Sequence, residues 1–207
     1  MPRSAERNAQ LRAERRRAIL AAAVPLFARD GFADTPVSAV ARAAGVAHGT
    51  VFLHFPTKAA LFAAAVTEPL REIERAMLVA QEGLGPAERL RLSVPRHLEF
   101  ILQRREYLRL AQFVLGHRDR FPDLAGELFA FAGRFCEAVA QLLREGQRRG
   151  EVAAGEPAML ARAYFAYLNG LGLVHVGGDD REFWGAMALL GQRLLGLDRA
   201  GEGTRPP

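Results

Sequence analysis

Between Thr35 and Lys58 the chain reads TPVSAVARAAGVAHGTVFLHFPTK, two short segments of helical apolar spacing joined at Ala44 and Gly45. Two helices cross closely only where small residues occupy the crossing and a residue tolerant of positive φ makes the turn. Ala41, Ala44 and Gly45 meet both demands. Thr35 is placed to cap the first helix with its hydroxyl, and Pro36 suits the first helical position, where no N–H partner is needed. Val37, Val40 and Ala41 supply that helix's inward face. Beyond Gly45, which stops it, Val46, Val51 and Phe55 turn inward at helical spacing. His48, Gly49, Thr50, Phe52 and His54 remain for the outer face of the second helix. This is a helix-turn-helix shaped to enter a DNA groove.

Charge points the same way without reference to the motif. The chain has 28 Lys and Arg against 23 Asp and Glu, a net charge of +5. All of that excess lies in residues 1–58, because the later residues balance. A localised positive surface attracts phosphates and releases their counterions, which is the sequence-independent part of DNA affinity. Individual arginines of the cluster at 12–17 also read as a plain solvated surface. Lys58 is the chain's lone lysine, and the arginine preference elsewhere fits genomic base composition.

Half of the 207 residues are hydrophobic, enough for a small head and a larger core. Arg or Glu interrupts every apolar run before it reaches membrane-spanning length, and the polar, Arg-rich start lacks the apolar core of an export signal. Cys136 stands alone, so no internal disulfide is expected, and the residue reads as a small buried hydrophobe. These features predict a cytoplasmic protein. The five histidines are dispersed and no phosphate-cradling glycine loop is present, so the sequence offers no catalytic set, no metal site and no cofactor.

Periodicity and breakers predict an all-α chain of about nine helices: a head over 1–56 with a basic N-terminal arm, a body over 57–200 and a tail over 201–207. Helix one is expected from about Ala9 to Arg29, ended by Asp30-Gly31 and kinked at Pro25; the residues before it are an arm for a minor groove or are disordered. The fourth runs from Thr57 to about Gln81 and contains Pro69. Later helices fall near 87–103, 105–117, 123–149, 156–176 and 180–196. On the last two, one stripe is Leu160, Tyr164, Tyr167, Leu171 and Val174. Another is Trp184, Met187, Leu190, Leu194 and Leu197, and Gly170, Gly172 and Gly191 permit close approach. Such stripes serve either a partner subunit or the chain's own core.

The segment GVAHGTVFLHFPTKAALF resembles the recognition-helix signature of the tetracycline-repressor (TetR) family, and RRRAILAAAVPLFARDGFADTPVSAVARAAG resembles that family's first two helices. Three positions depart from the pattern: the usual Ser is Ala47, the Tyr of the recognition helix is Phe52, and the commonly acidic residue after Lys58 is Ala59. Two hydroxyl donors to the DNA backbone are thereby lost. The resemblance implies operator contacts among Thr35, Ser38, His48, Gly49, Thr50, Phe52, His54 and Lys58, with His48 and Thr50 near base edges and Lys58 on phosphate.

It further implies a hinge role for the helix containing Pro69 and a largely apolar effector pocket in the body. The resemblance implies that Leu70, His97, Phe100, Tyr107, Phe113, Phe131, Phe135, Tyr164 and Leu168 line that pocket, with His117 and Asn169 as further polar candidates. Taken singly, these residues read as ordinary core, and the two histidines as core or surface residues. The family pairs subunits through its last two helices, which implies a homodimer on a palindromic operator, released by a small apolar or aromatic effector. The competing expectation is a nonspecific DNA-packaging protein, which would have the same basic head but no use for a large, neutral, aromatic body.

Overall fold

The computed structural model describes residues 2–77, 83–174 and 180–197, with side-chain surroundings for 6–74, 83–173 and 180–197. The expected end of the fourth helix near Gln81, the Gly177-Gly178 break and the tail at 201–207 lie outside them. Within the described residues the chain forms nine helices and no strand: α1 (Pro2–Asp34), α2 (Val37–Ala43), α3 (His48–His54), α4 (Lys58–Met77), α5 (Pro86–Gln103), α6 (Arg105–Gly116), α7 (Pro122–Arg148), α8 (Pro157–Val174) and α9 (Arg181–Leu194). No single helix among them is long and apolar enough to cross a membrane.

The chain divides into two compact units, the first made of residues 1–71 and 109–127 and the second of 72–108 and 128–207. The first division falls inside α4, two residues past Pro69. The head unit is larger than the sequence boundary at 56 because the first turns of α4 bury Leu61, Phe62, Ala65, Val66 and Leu70. It is larger too because the end of α6 and the start of α7 contribute to one aromatic cluster. There Phe62 meets Phe27 edge-on at 5.0 Å between centroids and Phe121 at 4.9 Å, while Phe32 and Phe113 complete the group. Edge-on and tilted ring pairs of this kind add about 0.5–1.5 kcal/mol each to what burial supplies.

α1 remains helical through Pro25, and the break comes at Gly31, whose φ of 75° and ψ of −178° no helix contains. Its missing side chain has a second consequence. A Cβ there would lie 3.0 Å from Cε2 of Phe113, so the ring packs directly on the backbone. α1 also starts earlier than its apolar pattern does, at Pro2, and from Glu6 onward its first buried residue is Ile19.

The later helices begin where the sequence places capping groups. The Glu156 carboxylate accepts from the backbone N–H of Ala158 and of Met159 at the start of α8, the latter at 2.6 Å. Asp180 likewise accepts from Glu182 N at 2.9 Å and Phe183 N at 3.2 Å at the start of α9. Each carboxylate satisfies two orphan donors and meets the positive end of the helix dipole.

In the second unit the expected stripes on α8 and α9 turn out to be mixed in orientation. Tyr164 and Leu197 are buried, Tyr167 is half-buried, and the Tyr167 hydroxyl donates to the Met187 carbonyl at 2.6 Å. Gly172 and Gly191 serve intrachain approach, the first against Leu108 and Ile101, the second against Val94, Tyr167 and Tyr164. The solvent face of α8 instead carries Met159, Ala163, Ala166, Gly170 and Leu173, and that of α9 carries Gly185, Ala186, Leu189 and Leu190. Both helices are apolar around most of their circumference, so periodicity does not distinguish the stripe facing inward from the one left outside.

Candidate nucleic-acid interface and effector core

The turn between α2 and α3 is fixed by backbone chemistry. With Ala44 as C-cap, Gly45 adopts φ 65° and donates its N–H to the Arg42 carbonyl at 3.2 Å, and Val46 N donates to the Ala41 carbonyl at 3.0 Å. This 6→1 and 5→2 pair is a Schellman motif, which requires a left-handed residue after the cap. A Cβ on Gly45 would meet nothing within 4 Å, so the constraint is the dihedral and not space. Val40, Ala41, Val51 and Phe55 are buried as the spacing predicts.

That packing leaves one continuous outer surface. Ser38 and Arg42 on α2 are exposed, as are Ala47, His48, Gly49, Phe52 and Leu53 around α3; Thr50 and His54 are half-buried. The His48 and Phe52 rings contact edge-to-face at 5.1 Å, one helical turn apart, which holds both on the outer side. Ala47 is the N-cap of α3 and offers no side-chain cap, consistent with the serine it replaces.

Two expected contacts are committed elsewhere. Thr35 is buried, and its hydroxyl donates to the Leu26 and Gly31 carbonyls, the latter at 2.7 Å. It therefore fastens the end of α1 instead of capping α2, whose N-cap is Pro36 with no capping side chain. Lys58 Nζ donates to the Ala33 carbonyl at 2.8 Å and lies 5.1 Å from the centre of the Phe32 ring. Its ammonium has further donors, but its nearest partner is the C-terminal end of α1. Thr57 does cap α4, its hydroxyl accepting from Ala60 N at 3.0 Å.

Sequence reasoning passed over Leu53. It is 75% exposed, more than any other exposed large hydrophobic residue described, and it sits on α3 between Phe52 and His54. Its signal was present in the register: with Val51 and Phe55 inward, position 53 has to face out. At His54, partial burial first, then the fields of Arg12, Arg16 and Arg15, hold the imidazole pKa below its ordinary value.

Several of the expected effector residues belong to the buried core of the second unit. His97, Tyr107, Phe131, Phe135, Tyr164 and Leu168 are all buried. His97 Nδ1 lies 3.0 Å from the Tyr164 hydroxyl, and its ring meets Phe135 at 5.3 Å. Phe165 meets Phe131 and Phe135 at tilted angles, with centroids 6.5 and 5.5 Å away. Burial pushes the Tyr107 and Tyr164 phenols far up and that of Tyr167 up to about 12, so all three remain hydrogen-bond donors. Phe100 is half-buried beneath the Arg104 guanidinium.

Phe113 belongs to the head's aromatic cluster, with His117, whose Nδ1 is 2.8 Å from the Phe113 carbonyl. Leu70, buried on α4, falls in the head unit too. Asn169 donates to the Phe165 carbonyl of its own helix. Helical spacing lists aromatics in order along the chain but does not tell which of two cores each one enters.

A helix-turn-helix with a buried inner face and an exposed outer face carrying histidine, arginine and apolar side chains, followed by a larger helical unit, defines the class of DNA-binding regulators. Residues 19–65 match the family model for bacterial regulatory proteins of the tetR family, and residues 83–172 match a tetracyclin repressor-like C-terminal domain. The chain is 32% identical over 172 residues to the HTH-type transcriptional regulator TtgR of Pseudomonas putida, covering 76% of this chain and 78% of that protein. It is 28% identical over 145 residues to the fatty acid metabolism regulator protein of Bacillus subtilis, covering 70% and 74%. The crystal structure of a TetR-like transcriptional regulator from Rhodococcus sp. RHA1 superposes with a TM-score of 0.69 at 25% identity, covering 87% and 93%. The chain belongs to the TetR family of transcriptional regulators.

Proposed function

We propose that the protein is a ligand-responsive repressor that binds a palindromic operator through α3 and leaves it when a small, largely apolar molecule occupies the second unit. The observation that carries this reading is the outer surface of α3, where His48, Phe52 and Leu53 stand exposed while Val51 and Phe55 anchor the helix from below. His48, Gly49 and Thr50 at the helix start face base edges and phosphate, with Ser38 and His54 at the margins. Lys58 joins them through the donors left after its bond to Ala33.

The effector core is the His97–Tyr164 pair with its surrounding phenylalanines. Two or three fixed polar groups in an apolar wall suit a molecule with a long apolar or aromatic body and one hydrogen-bonding end. The name of the Bacillus subtilis relative, a fatty acid metabolism regulator, supports the apolar character. Subunits pair through the exposed faces of α8 and α9, because Met159, Leu173, Leu189 and Leu190 form an apolar surface that water solvates poorly. The twofold dimer then sets two copies of α3 about one helical turn of DNA apart. Ligand need favour the released conformer by only about 1–3 kcal/mol to change operator affinity 5–150-fold. Such a regulator works in the cytoplasm, where its operator is.

Binding-site selection from fragmented genomic DNA with the purified protein tests the reading. The expected product is a single inverted repeat bound by a dimer. Equal affinity for every duplex would replace it with a DNA-packaging role, and absence of binding at low salt would end both.

A further inference from the structure

Residues 6–18 of α1 lie beyond the head's core: every one is exposed except the half-buried Arg16. From Glu6 to Ala18 the helix runs about 20 Å, at about 1.5 Å per residue, without a buried side chain. A helix with no buried face gains little from its own backbone bonds in water, so a partner surface is what would stabilise it.

Its charges are not scattered. Arg12, Arg15 and Arg16 are spaced i, i+3 and i+4 and so share one side. Arg16 is spent within the head: Nη1 donates to the His54 carbonyl at 3.0 Å, and Nη2 pairs with Glu68. That bond places the row beside the C-terminal end of α3. Arg12 and Arg15 have no ion pair or hydrogen bond among the described residues, and both bear on His54 electrostatically. Glu14, the nearest acid in sequence, accepts from Gln10 at 3.2 Å.

We propose that Arg12 and Arg15 form a phosphate clamp that grips the operator backbone next to the end of α3, outside the helix-turn-helix. This rests on the operator reading above and adds a second surface to it. Two guanidinium groups rigidly spaced on a helix match successive phosphates of one strand and carry no base information. The clamp raises affinity for all duplexes alike.

The test measures Kd against KCl concentration for the full chain on its selected operator and on a random duplex. The double variant Arg12→Gln/Arg15→Gln should lose about two from the magnitude of the log–log salt slope per protomer, since each phosphate contact contributes about 0.9. Its ratio of operator to random affinity should stay within twofold of wild type. Arg17→Gln, which removes an exposed arginine from another side of the same helix, should leave the slope unchanged. An unaltered slope in the double variant would overturn the clamp and leave the regulator reading standing, as would an equal effect of Arg17→Gln. A double variant that instead lost only binding to phosphatidylglycerol vesicles would assign the row to a membrane surface and overturn the clamp. Failure of the wild type to bind any duplex would overturn both readings together.

Discussion

Arg16 and Glu68 join the first helix of the head to the fourth across a sequence separation of 52 residues. The same guanidinium lies 4.3 Å from the centre of the Phe55 ring and donates to the His54 carbonyl at 3.0 Å. One side chain therefore ties α1, the end of α3 and α4. A planar fork can serve a carboxylate, a carbonyl and a ring face at once, whereas an ammonium cannot. Arg16→Lys is expected to cost about 1–2 kcal/mol, since a half-buried, still solvent-screened ion pair contributes about 1 or less and the ring contact about 0.5–1. Urea unfolding followed by circular dichroism measures this, and a loss under about 0.3 kcal/mol would show that the fork geometry adds nothing over a simple cation.

Gly31 and Gly45 both hold positive φ, but their surroundings differ. An alanine at Gly45 meets open space and pays only the dihedral cost, about 1–2 kcal/mol. At Gly31 the same change also drives a Cβ into the Phe113 ring, so Gly31→Ala is expected to exceed Gly45→Ala by about 1–3 kcal/mol of overpacking. Adding Phe113→Leu should recover part of the difference. Equal losses at the two glycines would mean that the ring moves aside without cost.

Leu53 presents an apolar surface where DNA offers one apolar group, the C5-methyl of thymine. Replacing thymines by deoxyuridine across the selected operator should weaken wild-type binding by about 1 kcal/mol or more at the sensitive position, within the about 1–3 kcal/mol range of a mismatched pair. Leu53→Ala should bind both duplexes alike. A variant that still distinguishes them would clear Leu53 of methyl recognition.

His54 has its pKa held below the ordinary imidazole value, chiefly by burial and then by Arg12, Arg16 and Arg15. A depressed folded pKa means that the unfolded chain binds more protons in the interval between the two values. Stability is thus fully present above the unfolded pKa, near 6.5, and declines as pH falls toward the folded one. Chemical denaturation at several pH values between about 5 and 8 should show that decline in the wild type and a flatter profile in His54→Gln. Identical profiles would remove His54 as a source of the dependence.

Much of the head was legible in residues alone. The Ala41–Gly45 turn and the inward Val51 and Phe55 are local chemistry: dihedral tolerance and helical period act within a few residues. Those constraints set the helix-turn-helix whatever the rest of the chain does. Tertiary structure decided how side chains with more than one possible partner were used. The Thr35 hydroxyl could have faced DNA, but carbonyls of α1 lay within reach and took its one proton, and the Ala33 carbonyl took one of the donors of Lys58. Phe113 could have entered either core, and packing against Gly31 placed it in the head. The stripes on α8 and α9 were divided between inside and outside because long-range burial, which no window of sequence contains, chooses among several apolar faces of the same helix.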